Sequence, residues 1–140
     1  MICLQALEDW EAKNRMSIKC KIYATDINRT SVEIASLGAY NAADIENAVP
    51  PHFVKKYFKL HDNVMTIVPH VRSLLLFAVH NVVSDAPFSN VDIVLCRNTL
   101  IYFTKQLQRR VLQRFYFALK PSKRKMLAIV TFDVYFLSFK

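Results

Sequence analysis

The sequence predicts an α/β fold with a largely parallel sheet. Three observations lead there. Short β-branched apolar runs alternate along the chain with stretches of helical spacing. The run Val91, Ile93, Val94 and Leu95 ends in the polar pair Arg97-Asn98, as a buried strand does where it leaves its sheet. Leu107, Val111, Leu112, Phe115 and Leu119 form one apolar helical stripe, which Pro121 terminates.

Taken in order, Leu4, Leu7, Trp10 and Glu11 fall at helical spacing and predict a helix over 2–14. Ile18–Thr25 reads as a strand, with Ile22, Tyr23 and Ala24 apolar before Asp26. Thr30 and Glu33 have the spacing of a capping box. The helix they open carries Val32, Ile34 and Ala35 and stops at Gly38, a good C-terminal cap. Asn41–Pro50 reads as irregular. Pro50-Pro51 starts a short helix with Phe53, Val54, Tyr57 and Phe58 as its apolar face. The turn residues Asp62-Asn63 precede a strand over Val64–Val68, and Leu74–Val79 reads as another. Pro87 breaks the chain before the strand Val91–Leu95. Thr104 caps the long helix to about Lys120, with Arg109, Arg110, Gln113 and Arg114 facing water. Met126–Phe139 is rich in β-branched and aromatic residues and reads as a strand or strand pair. Broken by Asp133, it is too short for a membrane-spanning helix, which needs about 20 residues, so no membrane insertion is expected.

The composition narrows the function. With 140 residues, 53% hydrophobic and 21% charged, a single folded domain is expected rather than a disordered chain. Gly38 is the only glycine, which excludes a glycine-rich phosphate loop. The net charge of +8, much of it in Lys105–Lys125, suits anionic partners or a solvated basic surface. No helix-turn-helix, zinc-finger or RNP pattern appears, so no nucleic-acid partner is expected. His52, His61, His70 and His80 are too far apart for a ligand pair and no paired cysteine joins them, so no metal is expected. Cys3, Cys20 and Cys96 are odd in number and widely spaced, which reads as reduced thiols in a cytoplasm. Cys96 reads as a small buried residue at a strand end; a reactive nucleophile would need a base that the sequence does not show nearby.

Four stretches occur together: IYATDINRTSVEIASLGAY at Ile22–Tyr40, PPHFVKKYF at Pro50–Phe58, FAVHNVVSDAPFSNVDIVLCRNTLIYF at Phe77–Phe103, and LQRRVLQRFYFALKP at Leu107–Pro121. In this order they resemble the chemotaxis receptor glutamate methyltransferases (CheR-type), over roughly Ile22–Pro121. The resemblance implies an incomplete Rossmann-like class I fold that uses S-adenosyl-L-methionine. It implies a partial methyltransferase domain over 1–140, with an inserted α/β substructure at about 41–69 and a divergent end at 122–140. DAPFS at Asp85–Ser89 looks most like members fused to a methylesterase. The segment KLHDN between Phe58 and Val64 lacks the longer glycine-containing loop of members that dock on a receptor's tail.

The resemblance also implies roles. Asp26 matches the acidic residue that meets the cofactor's ribose hydroxyls, and a carboxylate suits a vicinal diol. Without the resemblance it reads as an Asp preceding a helix. Asn81 and Val82 match the pair that holds the adenine, through an amide side chain and a backbone N–H; the other reading of Asn81 is a cap at a strand end. Arg97 and Asn98 match the pair beside the cofactor, where Arg97 alone reads as a partner for a buried carboxylate. Tyr102 lies near the methyl-transfer end by analogy, against a reading as a core tyrosine. The implied reaction moves a methyl group to a receptor glutamate. The alternative is a noncatalytic fragment that binds a partner protein.

The chain departs from the family pattern at both ends. The family's opening strand and Gly-containing turn, and its N-terminal helical domain, have no counterpart in the sequence. Similarity fades near Met126. Two expectations follow: weak or no cofactor binding by this chain alone, and a sheet left with an unpaired edge and exposed apolar surface where its central strand is lacking.

Overall fold

The computed structural model describes residues 2–96, 99–119, 126–129 and 134–139. In chain order the elements are α1 (Ile2–Asn14), β1 (Cys20–Asp26), α2 (Arg29–Leu37), β2 (Ala39–Asn41), α3 (Ala42–Ala48), α4 (Pro51–Tyr57), β3 (Phe58–His61), β4 (Val64–Ile67), α5 (Pro69–Arg72), β5 (Leu75–Val79), β6 (Ile93–Cys96), a single 3-10 turn (Leu100–Tyr102), α6 (Lys105–Ala118), β7 (Met126–Ile129) and β8 (Val134–Phe139). They form two compact units. One holds residues 2–19 and Leu37–Ser73; the other holds Cys20–Ser36 and Leu74–Phe139.

The second unit contains a five-stranded sheet in the order β5-β1-β8-β6-β7. β1 is parallel to β5 and β6 to β7, while β8 runs antiparallel to both β1 and β6. This corrects the expectation of an unpaired central edge. β8 pairs with β1 from Cys20↔Phe139 to Thr25↔Val134, and with β6 from Ile93↔Leu137 to Cys96↔Val134. An extended VYFLSF segment offers N–H and C=O groups to both flanks, which satisfies the ladders of two strands at once.

The core of this unit lies between β6 and α6. Val91, Val94, Cys96, Val111, Phe115, Ala118 and Leu119 are buried together with Val82. The stripe expected on α6 therefore holds, and Thr104 caps the helix by accepting from the Leu107 N–H at 3.3 Å. Arg114 departs from the expectation of a solvated side chain: its guanidinium donates to the Asp85 carbonyl. The strand expected at Val91 begins at Ile93, because the Val91 N–H donates to the Ala118 carbonyl at 3.1 Å and Val91 bridges Leu119 instead.

α2 also starts differently from expectation. The cap is Asn28, two residues before Thr30, and its Oδ1 accepts from the Ser31 N–H at 3.2 Å. Asp26 fixes that cap by accepting from the Asn28 N–H. Gly38 closes the helix at φ +65, a conformation open to glycine at little cost.

The first unit is built on an antiparallel sheet in the order β2-β4-β3. Phe53 and Tyr57 of α4 are buried, as their spacing implied, and Tyr57 is only 1% exposed. Its hydroxyl donates to Glu8 of α1 at 2.8 Å, and Lys56 Nζ stands 2.6 Å from the same carboxylate. Burial pushes the Glu8 carboxyl up, but the Lys56 and Tyr57 contacts outweigh it and the net shift is downward. Trp10 is 42% exposed, so the apolar face of α1 is narrower than its spacing suggested. The segment read as irregular, Asn41–Pro50, takes in the last residue of β2 and forms α3, with Asn41 capping α3 through the Ala43 N–H at 2.9 Å. The turn at Asp62-Asn63 stands as expected and joins β3 to β4, with Asp62 at φ +52.

Candidate cofactor site

Parallel neighbours deliver their carboxyl ends to the same edge of a sheet, where ligands of α/β folds collect. In the second unit β1 ends at Asp26 and β5 at Val79, and these two residues are register partners. The next N–H along β5, that of His80, donates to the Asp26 carbonyl at 2.9 Å. Two of the residues singled out from sequence, Asp26 and Asn81, are thereby brought together by backbone pairing.

Asp26 is half-buried and spends Oδ1 on the Asn28 N–H at 2.7 Å. The reading of Asp26 as a residue that precedes a helix is thus correct as far as it goes. Among the described residues Oδ2 accepts no hydrogen bond, so one oxygen can still take a hydroxyl donor. Asn81 likewise has a structural task. Its Oδ1 accepts from the Val83 N–H at 2.9 Å, forming a tight turn, and its amide nitrogen Nδ2 remains a donor. Val82 sends its side chain into the core cluster, which leaves its backbone for polar contact.

A second layer, missed from sequence, holds that turn. The Asp85 carboxylate accepts from the Asn81 N–H at 2.8 Å and from the Ser84 hydroxyl at 2.9 Å. The Asn81 N–H and then the Ser84 hydroxyl draw the Asp85 carboxyl below its usual range, with His80 and Arg114 adding to the effect. The ring of His80 lies 4.9 Å from Phe88, which in turn packs 5.0 Å from Tyr23 of β1. His80 Nε2 is 3.1 Å from the Ala86 carbonyl. The phrase DAPFS was the available signal: its Asp, Ala and Phe are the residues that brace the turn.

β6 brings Cys96 to the same edge, two ladder spacings from β1 across β8, or about 10 Å. Cys96 is buried as expected; burial raises its thiol pKa against a hydrogen bond from Thr99, which disfavours a nucleophilic thiolate. Arg97 and Asn98 lie outside the described residues. Tyr102 follows in the 3-10 turn and is 80% exposed, which overturns its reading as a core tyrosine. The loop that carries it has left the sheet, and the core is already filled by Phe115 of α6 and by Leu119, the residue that follows the helix.

The donors and acceptors at this edge fit an adenosyl group: an oxygen for a diol, and an amide and a backbone N–H for the edge of a purine. Among the described residues no group of His, Cys, Asp and Glu could hold a metal ion. Nor is any helix there long and apolar enough to cross a membrane.

Comparison with known proteins gives the family. The family described as CheR methyltransferase, SAM binding domain, matches residues 2–127. A protein described as an uncharacterized 104.1 kDa protein in the hypE 3' region of Rhodobacter capsulatus is 40% identical over 100 residues, 71% of this chain and 10% of that one. Chemotaxis protein methyltransferase 1 of Pseudomonas aeruginosa is 30% identical over 120 residues, 83% of this chain and 44% of that one. Chemotaxis protein methyltransferase Cher2 of Pseudomonas putida is 31% identical over 120 residues, with the same coverage of 83% and 44%. The chain spans less than half the length of these relatives. Its α/β fold is that of a partial class I methyltransferase, the family's cofactor is S-adenosylmethionine, and the chain belongs to the CheR methyltransferase family through its SAM-binding domain.

Proposed function

We propose that the carboxyl edge of the five-stranded sheet holds S-adenosylmethionine for methyl transfer to glutamate side chains of a methyl-accepting chemotaxis receptor, in the cytoplasm. The observation that carries this reading is the juxtaposition of Asp26 with the Asn81–Asp85 turn through the His80-to-Asp26 backbone bond of 2.9 Å. Asp26 would take the ribose hydroxyls, and Asn81 and the Val82 backbone the adenine. Arg97 and Asn98 belong to the same proposal through the family pattern, and Tyr102 to the transfer end. The proposal also takes 1–140 as part of one such domain, with 41–69 as its inserted substructure.

When bound, the cofactor supplies a methyl group activated by a sulfonium. A glutamate has a pKa near 4.3 and is ionised at neutral pH, so no side chain of this protein has to remove a proton. What remains is positioning, worth up to about 7–11 kcal/mol in favourable cases. The exposed Tyr102 and the fixed turn after β5 are suited to that task.

Calorimetric titration with S-adenosylhomocysteine tests the reading. The wild-type chain binds weakly but saturably, in keeping with the weak binding its sequence leads one to expect, and Asp26→Ala and Asn81→Ala each weaken binding about 10- to 100-fold further, as for hydrogen bonds to charged or buried groups. A folded wild-type sample that shows no binding would sink the proposal.

A further inference from the structure

Asp85 is bonded twice to Asn81. Its N–H donates to the Asn81 carbonyl at 2.9 Å, and its carboxylate accepts from the Asn81 N–H at 2.8 Å. One residue thus fixes both backbone groups of Asn81, so Asn81 and the neighbouring Val82 N–H follow wherever Asp85 sits. These are the groups proposed above for the purine. The chain between β5 and β6 belongs to no helix or strand, so its position has to be set by contacts from outside it.

One such contact comes from α6. The Arg114 guanidinium donates to the Asp85 carbonyl across 29 residues of chain. Arg114 stands on a firm base, because Val111, Phe115 and Ala118 on either side of it are buried in the core of this unit. Its charge also favours the ionised Asp85 carboxylate, the form that accepts from Asn81. The arrangement is costly. Arg114 Nε is buried and makes no hydrogen bond among the described residues, and an unmade bond at a buried donor destabilises a fold. Arg109 and Arg110 of the same helix stay exposed, so the helix itself does not require an arginine to turn inward. Resting on the cofactor reading above, we propose that Arg114 is a positioning residue for the adenine end of the site, and that through Asp85 it sets the discrimination between adenine and other purines.

The discrimination has a chemical basis. At its Watson–Crick edge adenine offers a bare ring nitrogen where hypoxanthine carries an N–H. A fixed backbone N–H bonds to the first and is left facing a donor by the second. A site whose polar groups go unpaired rejects a near-isostere far more strongly than one that only loses apolar contact. The same N–H on a loose turn can shift to meet the neighbouring hypoxanthine oxygen, and the distinction fades. Arg114 need touch neither base nor sulfonium, since its effect passes through Asp85 and Asn81.

NMR titration of the isotope-labelled chain with S-adenosylhomocysteine and with S-inosylhomocysteine reads weak as well as tight binding, and gives the ratio of the two dissociation constants. The wild type is expected to favour the adenosyl compound by about 10-fold or more. Arg114→Met keeps the stem and removes the donor. It is expected to bring the ratio to within about 3-fold, with faster exchange of the Asn81 N–H and an unchanged circular dichroism spectrum. Arg114→Lys, a charged donor on a shorter stem, should recover part of the preference. A purely structural Arg114 would weaken both ligands alike; an unchanged ratio in a folded variant therefore overturns the proposal, as does a wild type that binds the two compounds equally. Should Arg114→Met fail to fold, Arg114→Gln replaces it, with an amide two bonds short of the Asp85 carbonyl. Failure of both to fold assigns Arg114 to stability and overturns the proposal. A wild type that binds neither compound is a different result: the cofactor reading itself falls, and this inference with it.

Discussion

At the scale of single residues, the Asp85 carboxylate decides whether the turn carrying Asn81 and Val82 keeps its shape. It is exposed, and yet it gathers the Asn81 N–H and the Ser84 hydroxyl. A group whose folded-state pKa is depressed contributes stability that is complete above its unfolded pKa and is lost as pH falls through the folded value. The turn should therefore hold at neutral pH and loosen only below the usual carboxylate range. Amide exchange followed by NMR checks this: the Asn81 N–H is protected at pH 6, and Asp85→Ala accelerates its exchange while leaving amides of α6 unchanged. The sequence named Asn81, Val82 and Asp26 through a family pattern, whereas the backbone bond that unites them belongs to no local spacing. Asp85 and Phe88 were in view only as part of a phrase: Asp85 meets Asn81 four residues back only when the turn has formed, and Phe88 meets Tyr23, a residue distant in sequence, only in the folded unit.

At the scale of elements, long periodic segments were legible and short ones were not. α6 could be read because five apolar residues repeat over four turns and Thr104 marks its start. β2 and α3 could not, since three and seven residues hold too little periodicity to distinguish from a loop. Asn41 was the one local signal there, a residue suited to capping. The Thr30-Glu33 box misled because Asp26 sets the preceding turn and hands the cap to Asn28. The cap on α6 allows a direct prediction. Thr104→Ala removes the acceptor for the Leu107 N–H and should cost about 1 kcal/mol, seen as a fall in Tm of about 3–6 °C for a chain of this size. Thr104→Ser should restore most of it.

At the scale of the whole molecule, an α/β fold could be read from the alternation of helices and strands, but the strand order could not. The middle of the sheet is filled by β8, the segment farthest from β1 in sequence and opposite in direction to both its neighbours. No pattern in a short apolar run states which partners it will find, or in which direction. The consequence for stability is concentrated: a proline in β8 removes a ladder hydrogen bond and places its ring in the one strand that joins β1 to β6. Leu137 pairs with Ile22 on one side and Ile93 on the other, and Leu137→Pro, which leaves a ladder acceptor without its donor, should destabilise the sheet by about 1–3 kcal/mol. Urea unfolding would show this as a lower midpoint, and an unchanged midpoint would mean that β8 is not where the sheet derives its cohesion.

The segment Leu37–Ser73 leaves one unit after α2 and returns just before β5. Its two ends are held together. The Gly38 carbonyl accepts from the Ile67 N–H at 2.9 Å, and a Cβ placed on Gly38 would stand 3.5 Å from Arg72 Cδ. In polymer terms the insert is a closed loop, and the entropy of closing a loop grows only with the logarithm of its length, about 0.6 kcal/mol per doubling. The five-stranded sheet is therefore nearly indifferent to how much chain is spliced in between α2 and β5. Evolution can lengthen, shorten or exchange this segment as a cassette, and so alter what the protein meets without redrawing the edge proposed for its cofactor.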